Sequence, residues 1–487
     1  MILFVIRLVL GAALYYVIVY RFKDIVQIMV RRQSKGMYAF DASDVEFSLW
    51  HKNIVVSDAV LHCTDTLRRP THYELTVPRI YLSIESWTAL ILHRRMLVDS
   101  LNIDSPAIVA HAHSRELEKA GRVSFHASQV FDVLKRVVAH LQVRAFNLEN
   151  GSFRYSNTKT GIPFVSYQIN LSIRNFSKKD GKADHLFSSD DVDLSLGPQH
   201  WVMPDGNHDL QFKRLHFSGR NEIFELDSCT FHSAAEGNRG DLSICADKFF
   251  FNSTNLSAMY EREQLLIDTL TCIRPVLNLQ LVDKKLREDS TEAINKSIRH
   301  LFTNISFRYI DIRDGQLRLG HSSKNQATYT QKTNLKVYNL RISPDSLQPI
   351  RTDSIAMNLR NIRFIGPDSL TQLSIDELVL NKQELILRSA VYGPTARVRP
   401  DTLLTLSSPL ILMRDCSLQD LLKRKLKAES AELYDPLITL EGKQTWGPGE
   451  KADKWRREQF KKTLHSLRKL IDVNDLTIKS ERKRKIK

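Results

Sequence analysis

Asp241-Leu-Ser-Ile-Cys-Ala-Asp-Lys-Phe-Phe-Phe251, followed by Leu266-Ile-Asp-Thr-Leu270 and Pro275-Val-Leu277, is the stretch around which this chain is organised. The same order of an alternating strand, a second apolar segment and a proline recurs in residues 73–108 and 409–438. Successive prolines are 169 and 161 residues apart, which predicts an internal repeat. The three equivalent prolines are Pro106, Pro275 and Pro436.

A second pair of segments supports the same period without gaps. Eight positions of residues 151–176 match positions of residues 315–340 at a constant spacing of 164. Five of the eight pairs are identical and the other three are apolar in both copies, so the segments are related. The pairs are Gly151 and Gly315, Phe153 and Leu317, Arg154 and Arg318, Asn170 and Asn334, Leu171 and Leu335, Ile173 and Val337, Asn175 and Asn339, and Phe176 and Leu340.

Strand-like alternation dominates the chain from Gly36 onward. Apolar and polar residues alternate with a period of two, which is typical of strands with one apolar face. Examples are Val45-Phe47-Leu49, Ile80-Leu82-Ile84, Ile169-Leu171-Ile173, Leu335-Val337 and Leu385-Leu387. Turn-forming residues are expected to separate the strands at Asn150-Gly151, Asp180-Gly181, Pro204-Asp205-Gly206 and Asp314-Gly315.

Helices are predicted only at intervals between these strands. Short ones are expected at residues 87–92, 255–261 and 418–425, each after a Ser or Thr that suits an N-cap. Longer amphipathic ones are expected around residues 130–141, 294–302 and 460–471. The simplest interpretation of each longer helix is a cap on one end of a sheet. A further strand is predicted to begin near Asp475, and residues 481–487 stop it soon afterwards. Either the protein is a short one that works with partners, or its reading frame is truncated.

The first residues form an apolar run. Residues 2–20 are apolar apart from Arg7, and nineteen helical residues span roughly 28 Å, close to the hydrocarbon thickness of a bilayer. An uncleaved anchor fits better than a signal peptide, since no small-residue cleavage site follows the run. The positive-inside rule would keep the basic residues 21–35 in the cytoplasm, although long domains translocate largely regardless of charge.

These features predict a mainly β fold with interspersed helices: a transmembrane helix followed by a repeating β-groove, an open, elongated antiparallel sheet of about three repeats. At 487 residues, the usual prior of about three domains agrees with the repeat count. The predicted segments are an anchor at 1–22, a juxtamembrane helix at 23–35, β repeats at 36–126, 127–282 and 283–447, and an amphipathic helix with a basic tail at 448–487.

The predicted sheet has more apolar surface than the few helices can cover. Exposed apolar area costs about 25 cal/mol per Å², so the face needs a second sheet, more helices or a non-protein filling. Two solutions remain open: a β-sandwich, or a trough whose concave face holds acyl chains. Candidate trough residues are Ile80, Leu82, Ile84, Leu101, Ile103, Leu171, Ile173, Leu335 and Val337.

A family resemblance favours the trough. The N-terminal apolar span, followed by Ser34-Lys-Gly36-Met-Tyr38-Ala-Phe40-Asp41 and Val45-Glu-Phe47-Ser-Leu49-Trp50, resembles the AsmA-like proteins of Gram-negative envelopes. The recurring strand and Leu-x-Ile-x-x-Pro-x-Ile at Leu101 to Ile108 is similar to them as well. The resemblance covers most of the chain through apolar spacing. It implies a single-pass inner-membrane protein with its bulk in the periplasm, and a repeating β-groove related to that of TamB.

Charge and motifs argue against nucleic-acid binding and enzymatic chemistry. The net charge is +15, but residues 1–38 contribute +5 and residues 450–487 contribute +8, so the remaining body carries only +2. A nearly neutral body is a poor surface for phosphates, and the basic tail suits an anionic membrane equally well. No GxxxxGK[ST], GxSxG, HExxH, CxxC or GxGxxG motif occurs. We therefore predict neither an enzyme nor a cofactor nor a nucleic-acid partner.

A histidine cluster, an acidic cluster and the cysteines are the remaining candidate sites. His111 and His113, with Glu116 and Glu118 nearby, could hold a metal if they shared a strand face, but a solvated strand end explains them more simply. Asp190, Asp191 and Asp193 lack the glycine and terminal Glu of a calcium loop. The five widely spaced cysteines do not resemble a disulfide framework, although a single bridge stays open in an oxidising compartment. No metal site is predicted.

The sequence thus predicts a membrane-anchored periplasmic protein that binds phospholipid acyl chains. It would assist lipid transfer or outer-membrane biogenesis passively, with the acyl chains along the trough and the headgroups in water. Its predicted partners are an acyl-chain lipid, the inner membrane and other envelope proteins. The alternatives are a structural scaffold or assembly factor without lipid in its core, and an enzyme with a diffuse site around His111 and His113.

Overall fold

The structure is a computed structural model, and it is mainly β, as the alternation predicts. The helical residues among those described are 23–24, 27–28 and 30–32, and they lie within the predicted juxtamembrane helix at 23–35. The described residues are 23–24, 27–28, 30–32, 34, 36–48, 50–64, 71–86, 98–112, 144–157, 163–174, 191–202, 208–233, 241–252, 264–281, 304–321, 324–342, 350–365, 371–395, 402–416, 426–442 and 471–480.

Most of the predicted helices lie outside these ranges. They include the anchor at 1–22, the short helices at 87–92, 255–261 and 418–425, and the longer helices at 130–141, 294–302 and 460–470. Among the described residues, no helix is both long and apolar enough to cross a membrane. One predicted boundary is wrong: Ile471, which we assigned to the last helix, is the first residue of a strand that ends at Lys479. The alternation of Ile471, Val473 and neighbouring polar residues explains the earlier start of that strand.

The chain divides into two compact units, residues 1–231 and 232–487. Thirteen strands begin in the first unit, and the last of them runs two residues past the boundary. They are β1 (Tyr38–Asp41), β2 (Asp44–Ser48), β3 (Asn53–Cys63), β4 (Thr71–Ile84), β5 (Val98–Asp104), β6 (Ala107–Ala112), β7 (Ala145–Asn157), β8 (Phe164–Arg174), β9 (Asp191–Leu196), β10 (Gln199–Val202), β11 (His208–Phe212), β12 (Arg214–Ser218) and β13 (Ile223–Ser233).

The second unit contains the remaining strands. They are β14 (Asp241–Asn252), β15 (Gln264–Ile273), β16 (Val276–Leu281), β17 (Asn304–His321), β18 (Lys324–Ile342), β19 (Ile350–Arg351), β20 (Ser354–Ile365), β21 (Thr371–Asn381), β22 (Glu384–Pro394), β23 (Thr402–Arg414), β24 (Leu426–Tyr434), β25 (Leu437–Gly442) and β26 (Ile471–Lys479). Within this unit β17 to β23 pair in antiparallel succession, with β18 contacting both β19 and β20.

One strand arrangement occurs three times, at the three copies that the sequence predicts. β4 pairs antiparallel with β5 and β6, and both of these lie parallel to β7. β14 pairs in the same way with β15 and β16, which lie parallel to β17. β23 pairs antiparallel with β24 and β25, and β24 lies parallel to β26. The sheet is therefore mixed, and the prediction of an antiparallel sheet is wrong, since each copy contains a parallel pairing that alternation alone does not reveal.

A kink at the repeated proline explains why one apolar segment becomes two strands. The residues before the prolines, Ser105, Arg274 and Asp435, have φ values of 51°, 48° and 41°. This left-handed conformation is uncommon for non-glycine residues and is kept only where neighbouring structure holds it. Here the amide of each donates to a carbonyl of the parallel strand. The acceptors are Glu149, Arg313 and Lys479, at 2.8, 2.8 and 2.9 Å.

The dipeptides Asn150-Gly151 and Asp314-Gly315 are not chain-reversing turns, contrary to our prediction. They lie inside β7 and β17, where the register with the next strand shifts. Asn150 and Asp314 have φ values of 51° and 52°, so they form bulges rather than hairpins. The neighbouring Gly151 packs closely, because a Cβ on it would lie 3.3 Å from the Pro106 ring and 2.6 Å from Leu148, and both side chains would have to shift. The predicted turns at 180–181 and 204–206 lie outside the described residues.

Candidate functional site

The candidate site is an apolar face of the sheet in the first unit. Strand register places apolar side chains opposite one another across successive strands, and we call these sets the first row and the second row. The first row is Phe47, Ile54, Leu82, Leu101, Phe146, Ile173 and Val192. The second row is Val45, Val56, Ile80, Ile103, Leu148, Leu171, Leu194 and Phe217.

The two rows differ in burial. From Ile54 to Val192 the first row is almost fully buried, and Phe146 and Ile173 are each 1% exposed. In the second row Val56, Leu148 and Leu171 are buried, whereas the other five residues are only partly buried. Both rows belong to one hydrophobic cluster. The first row therefore stabilises the unit, and the second row is the part of this face that an apolar ligand could contact.

Beyond the second row, the residues that point to the apolar face shift by one position along several adjacent strands. The shift occurs because these strands are kinked at the same level. Asp58 of β3, Asn150 of β7 and Gln168 of β8 have positive φ values, as does Ser105 between β5 and β6. Each kink moves the inward positions by one residue, so in β3 the buried positions change from Ile54 and Val56 before Asp58 to Ala59 after it. Bulges of this kind increase twist and bend a sheet. We therefore expect the sheet to curve along a line beside the second row.

The opposite face of the same strands is polar, which establishes the sidedness of the sheet. Asn147 of β7 donates from Nδ2 to Asn102 Oδ1 on β5 at 2.7 Å. Ser172 of β8 donates from Oγ to Asn147 Oδ1 at 2.8 Å. These three residues immediately precede or follow members of the two rows, so alternation directs them away from the apolar cluster. A substitution on this face tests charge and fold without touching the rows.

Seven of the nine predicted trough residues come together in the first unit. Ile80, Leu82, Ile84, Leu101, Ile103, Leu171 and Ile173 all belong to or pack against the same hydrophobic cluster. Ile84 pairs with Val98 just beyond the first row, and both are 1% exposed. Because five of the seven are buried, only Ile80 and Ile103 retain partial exposure. Sequence reasoning missed Phe146 and Ile54. The alternation of Phe146-Asn-Leu148 would have identified Phe146, whereas Ile54 begins an unbroken apolar run with Val55 and Val56.

Leu335 and Val337, the other two predicted residues, lie in the second unit. Leu335 pairs with Ile312 on one side and with Met357 on the other, and Val337 pairs with Ile310 and Ile355. A row through Leu335 crosses this unit as Phe249, Cys272, Ile312, Leu335, Met357, Leu380, Leu385, Met413, Ala431 and Leu476. It ends on Leu476, which is 57% exposed. The second unit therefore carries an apolar row of its own.

The other clusters considered from sequence have plain structural roles. Asp193, one of the three acidic residues that lack the features of a calcium loop, lies in β9, where its carboxylate is 3.0 Å from His216 Nε2. None of the five cysteines forms a disulfide, and Cys229, Cys272 and Cys416 are buried. Burial, with a smaller effect of Asp415, raises the pKa of the Cys416 thiol, so it stays protonated and is a poor nucleophile. Of the predicted histidine cluster, His111 lies in β6, whereas His113, Glu116 and Glu118 lie outside the described residues.

Comparison with known proteins gives little further information. No family model matches the chain, and no curated protein matches it. A solved structure of the sex pheromone staph-cAM373 precursor is similar over 64% of this chain and 85% of its own, at 8% identity and a TM-score of 0.14. The C-terminal domain of that precursor from Staphylococcus aureus is similar over 58% and 68%, at 8% identity and a TM-score of 0.12. At such TM-scores neither likeness bears on fold or function.

Proposed function

We propose that this protein is an AsmA-like, membrane-anchored protein that binds lipid acyl chains on its apolar sheet faces. The observation that carries the proposal is the second row, a line of eight apolar side chains of which five are only partly buried. Such a line is a poor surface to leave in water, since exposed apolar area costs about 25 cal/mol per Å². An acyl chain along the row would remove that cost.

The dimensions of the second row suit this ligand. It crosses eight neighbouring strands from β2 to β12, and strands lie about 4.8 Å apart, so it extends for roughly 34 Å. One leaflet of a bilayer has acyl chains about 15 Å long, half of the hydrocarbon thickness. The row is therefore long enough for a phospholipid tail. The kinks at Asp58, Ser105, Asn150 and Gln168 would curve the sheet around it.

In this proposal the protein performs no covalent chemistry. Apolar contacts hold the tails, and the headgroups stay in water. The basic residues 450–487 and the apolar residues 2–20 would keep the chain at an anionic membrane surface, the inner membrane in the AsmA-like interpretation. The bulk of the chain would lie in the periplasm and assist lipid transfer or outer-membrane biogenesis, with other envelope proteins as partners.

Mass spectrometry of the purified full chain tests this function. The protein is extracted in mild detergent, exchanged into a lipid-free detergent, and its bound lipid is quantified after organic extraction. We expect at least one phospholipid per chain to survive the exchange, because the second row would otherwise be exposed. A matched preparation of an unrelated single-pass protein gives the background. Lipid at background level would support the alternative, a scaffold whose sheets pack without lipid.

A further inference from the structure

The face of the sheet opposite the apolar rows carries a cluster that the proposed function does not use. His72 and Glu74 lie two residues apart on β4, so they point to the same side. His111 of β6 pairs directly with His72. The adjacent pair Tyr73 and Ala110 occupies the alternate, apolar side, where burial raises the pKa of Tyr73.

We propose that His72, Glu74 and His111 form a binding site for a divalent transition-metal ion of the zinc type. Each residue places one ligand atom within 4.8 Å of those of the other two. Tetrahedral ligand atoms at roughly 2 Å from zinc lie about 3.3 Å apart, so closure needs movements of up to about 1.5 Å. Rotation of the exposed Glu74 side chain and small shifts of the imidazoles supply them.

The two imidazoles already lie side by side. The rings of His72 and His111 stack with centroids 5.0 Å apart and an interplanar angle of 28°. Ser156 Oγ on β7 lies 2.8 Å from His111 Nδ1. In the tautomer that binds a metal through Nε2, this Nδ1–H donates to Ser156, which orients the ring and makes Nε2 more basic. Metal-binding histidines commonly have such a partner.

The donor set decides the class of ion. Two imidazole nitrogens and one carboxylate suit zinc and its neighbours, whereas magnesium and calcium prefer oxygen ligands. His72 is 6% exposed and His111 is partly buried, while Glu74 is exposed, so the ion would enter from the Glu74 side. Three protein ligands leave a fourth position for water. Bound metal would join β4 to β6 in the first repeat.

Cobalt and zinc titrations of the full chain test the site. Protein freed of metal by chelation is titrated with Co²⁺, which gives intense visible absorption in a tetrahedral site, and Zn²⁺ is then added in competition. We expect one Co²⁺ per chain, displaced by Zn²⁺. The affinity should fall at least about tenfold in Ser156→Ala, whose ligands are intact, and further in His72→Ala, His111→Ala and Glu74→Gln. The control His216→Ala removes an imidazole elsewhere and should leave binding unchanged.

Glu74→Gln keeps the test independent of folding, because Glu74 is exposed and its replacement leaves the packing intact. Wild-type affinity in Glu74→Gln together with His72→Ala would overturn the proposal. Absence of saturable Co²⁺ binding by the wild type would overturn it too. Lipid binding is read out separately and involves the opposite face, so either proposal can fail while the other holds.

Discussion

Phe146→Ala is expected to lower the free energy of unfolding of the first unit by about 3–5 kcal/mol, the usual range for a buried phenylalanine. Phe146 is 1% exposed and lies in the middle of the first row, between Leu101 and Ile173. Its removal would leave a cavity that a sheet held by many ladder hydrogen bonds cannot close. Urea denaturation of the full chain, followed by circular dichroism in the strand region, would show the earlier transition.

Tyr167→Ala is the matched control for this prediction. It also truncates an aromatic residue of the first unit, but Tyr167 is 56% exposed. Its effect should stay within about 0.5 kcal/mol, as for most surface substitutions. Equal urea midpoints for Phe146→Ala and Tyr167→Ala would show that the first row is not a packed core, and the division between a buried and an accessible row would be wrong.

Ile103→Asp is expected to reduce bound phospholipid at least about tenfold. Ile103 is a partly buried member of the second row, opposite Ile80 on β4 and Leu148 on β7. A carboxylate there would have to lose water to contact an acyl chain, and 1.4 kcal/mol of that cost is already about tenfold in affinity. Lipid extraction and mass spectrometry of the purified variant would measure the change.

Asn102→Asp supplies a control with the same change of charge one residue away. Asn102 Oδ1 accepts from Asn147 on the polar face, and aspartate keeps an oxygen in that place. We expect Asn102→Asp to retain wild-type lipid content. The urea midpoints of both variants show whether lipid loss merely follows unfolding. If Ile103→Asp retains its lipid, or if both variants lose it equally, the second row is not the contact surface.

Sequence reasoning could predict the strands and the repeat because these depend on local pattern. Alternation located β4, β8 and β22, and the prolines located the boundary between paired strands such as β5 and β6. The period of about 164 residues corresponds to the threefold arrangement around β4, β14 and β23. Residues of the two rows that share a strand also lie two positions apart in sequence, which is why Ile80 and Leu82, and Leu101 and Ile103, could be selected from the sequence.

Other features depend on register between distant segments, and the sequence pattern does not contain them. The parallel pairing of β5 and β6 with β7 is one example. The residues that connect β6 to β7 have no alternating pattern from which this pairing could be inferred. The parity change at Asp58 is another: period-two reasoning continues through a strand, whereas a single residue with φ of 49° reverses its faces. Asn150-Gly151 has the composition of a hairpin turn but forms a bulge held between Pro106 and Leu148.

The cluster of His72, Glu74 and His111 also depends on strand register, which local spacing does not show. Spacing within one segment directs attention to His111 and His113, which are two residues apart. Register instead places His72, thirty-nine residues earlier in the chain, directly opposite His111. Only the antiparallel pairing of β4 with β6 brings these imidazoles together, and Glu74 joins them because it shares a face with His72.

Site-specific photocrosslinking in cells tests the central claim, lipid contact along the second row, most directly. A photoreactive amino acid replaces Ile80 or Ile103 on the apolar face. In parallel it replaces the sequence neighbours Arg79 or Asn102 on the opposite, polar face. After irradiation, mass spectrometry of the purified protein identifies covalent lipid adducts. The account predicts phospholipid adducts at positions 80 and 103, and none above background at 79 and 102. Equal labelling on both faces, or no lipid adduct at 80 and 103, would contradict it.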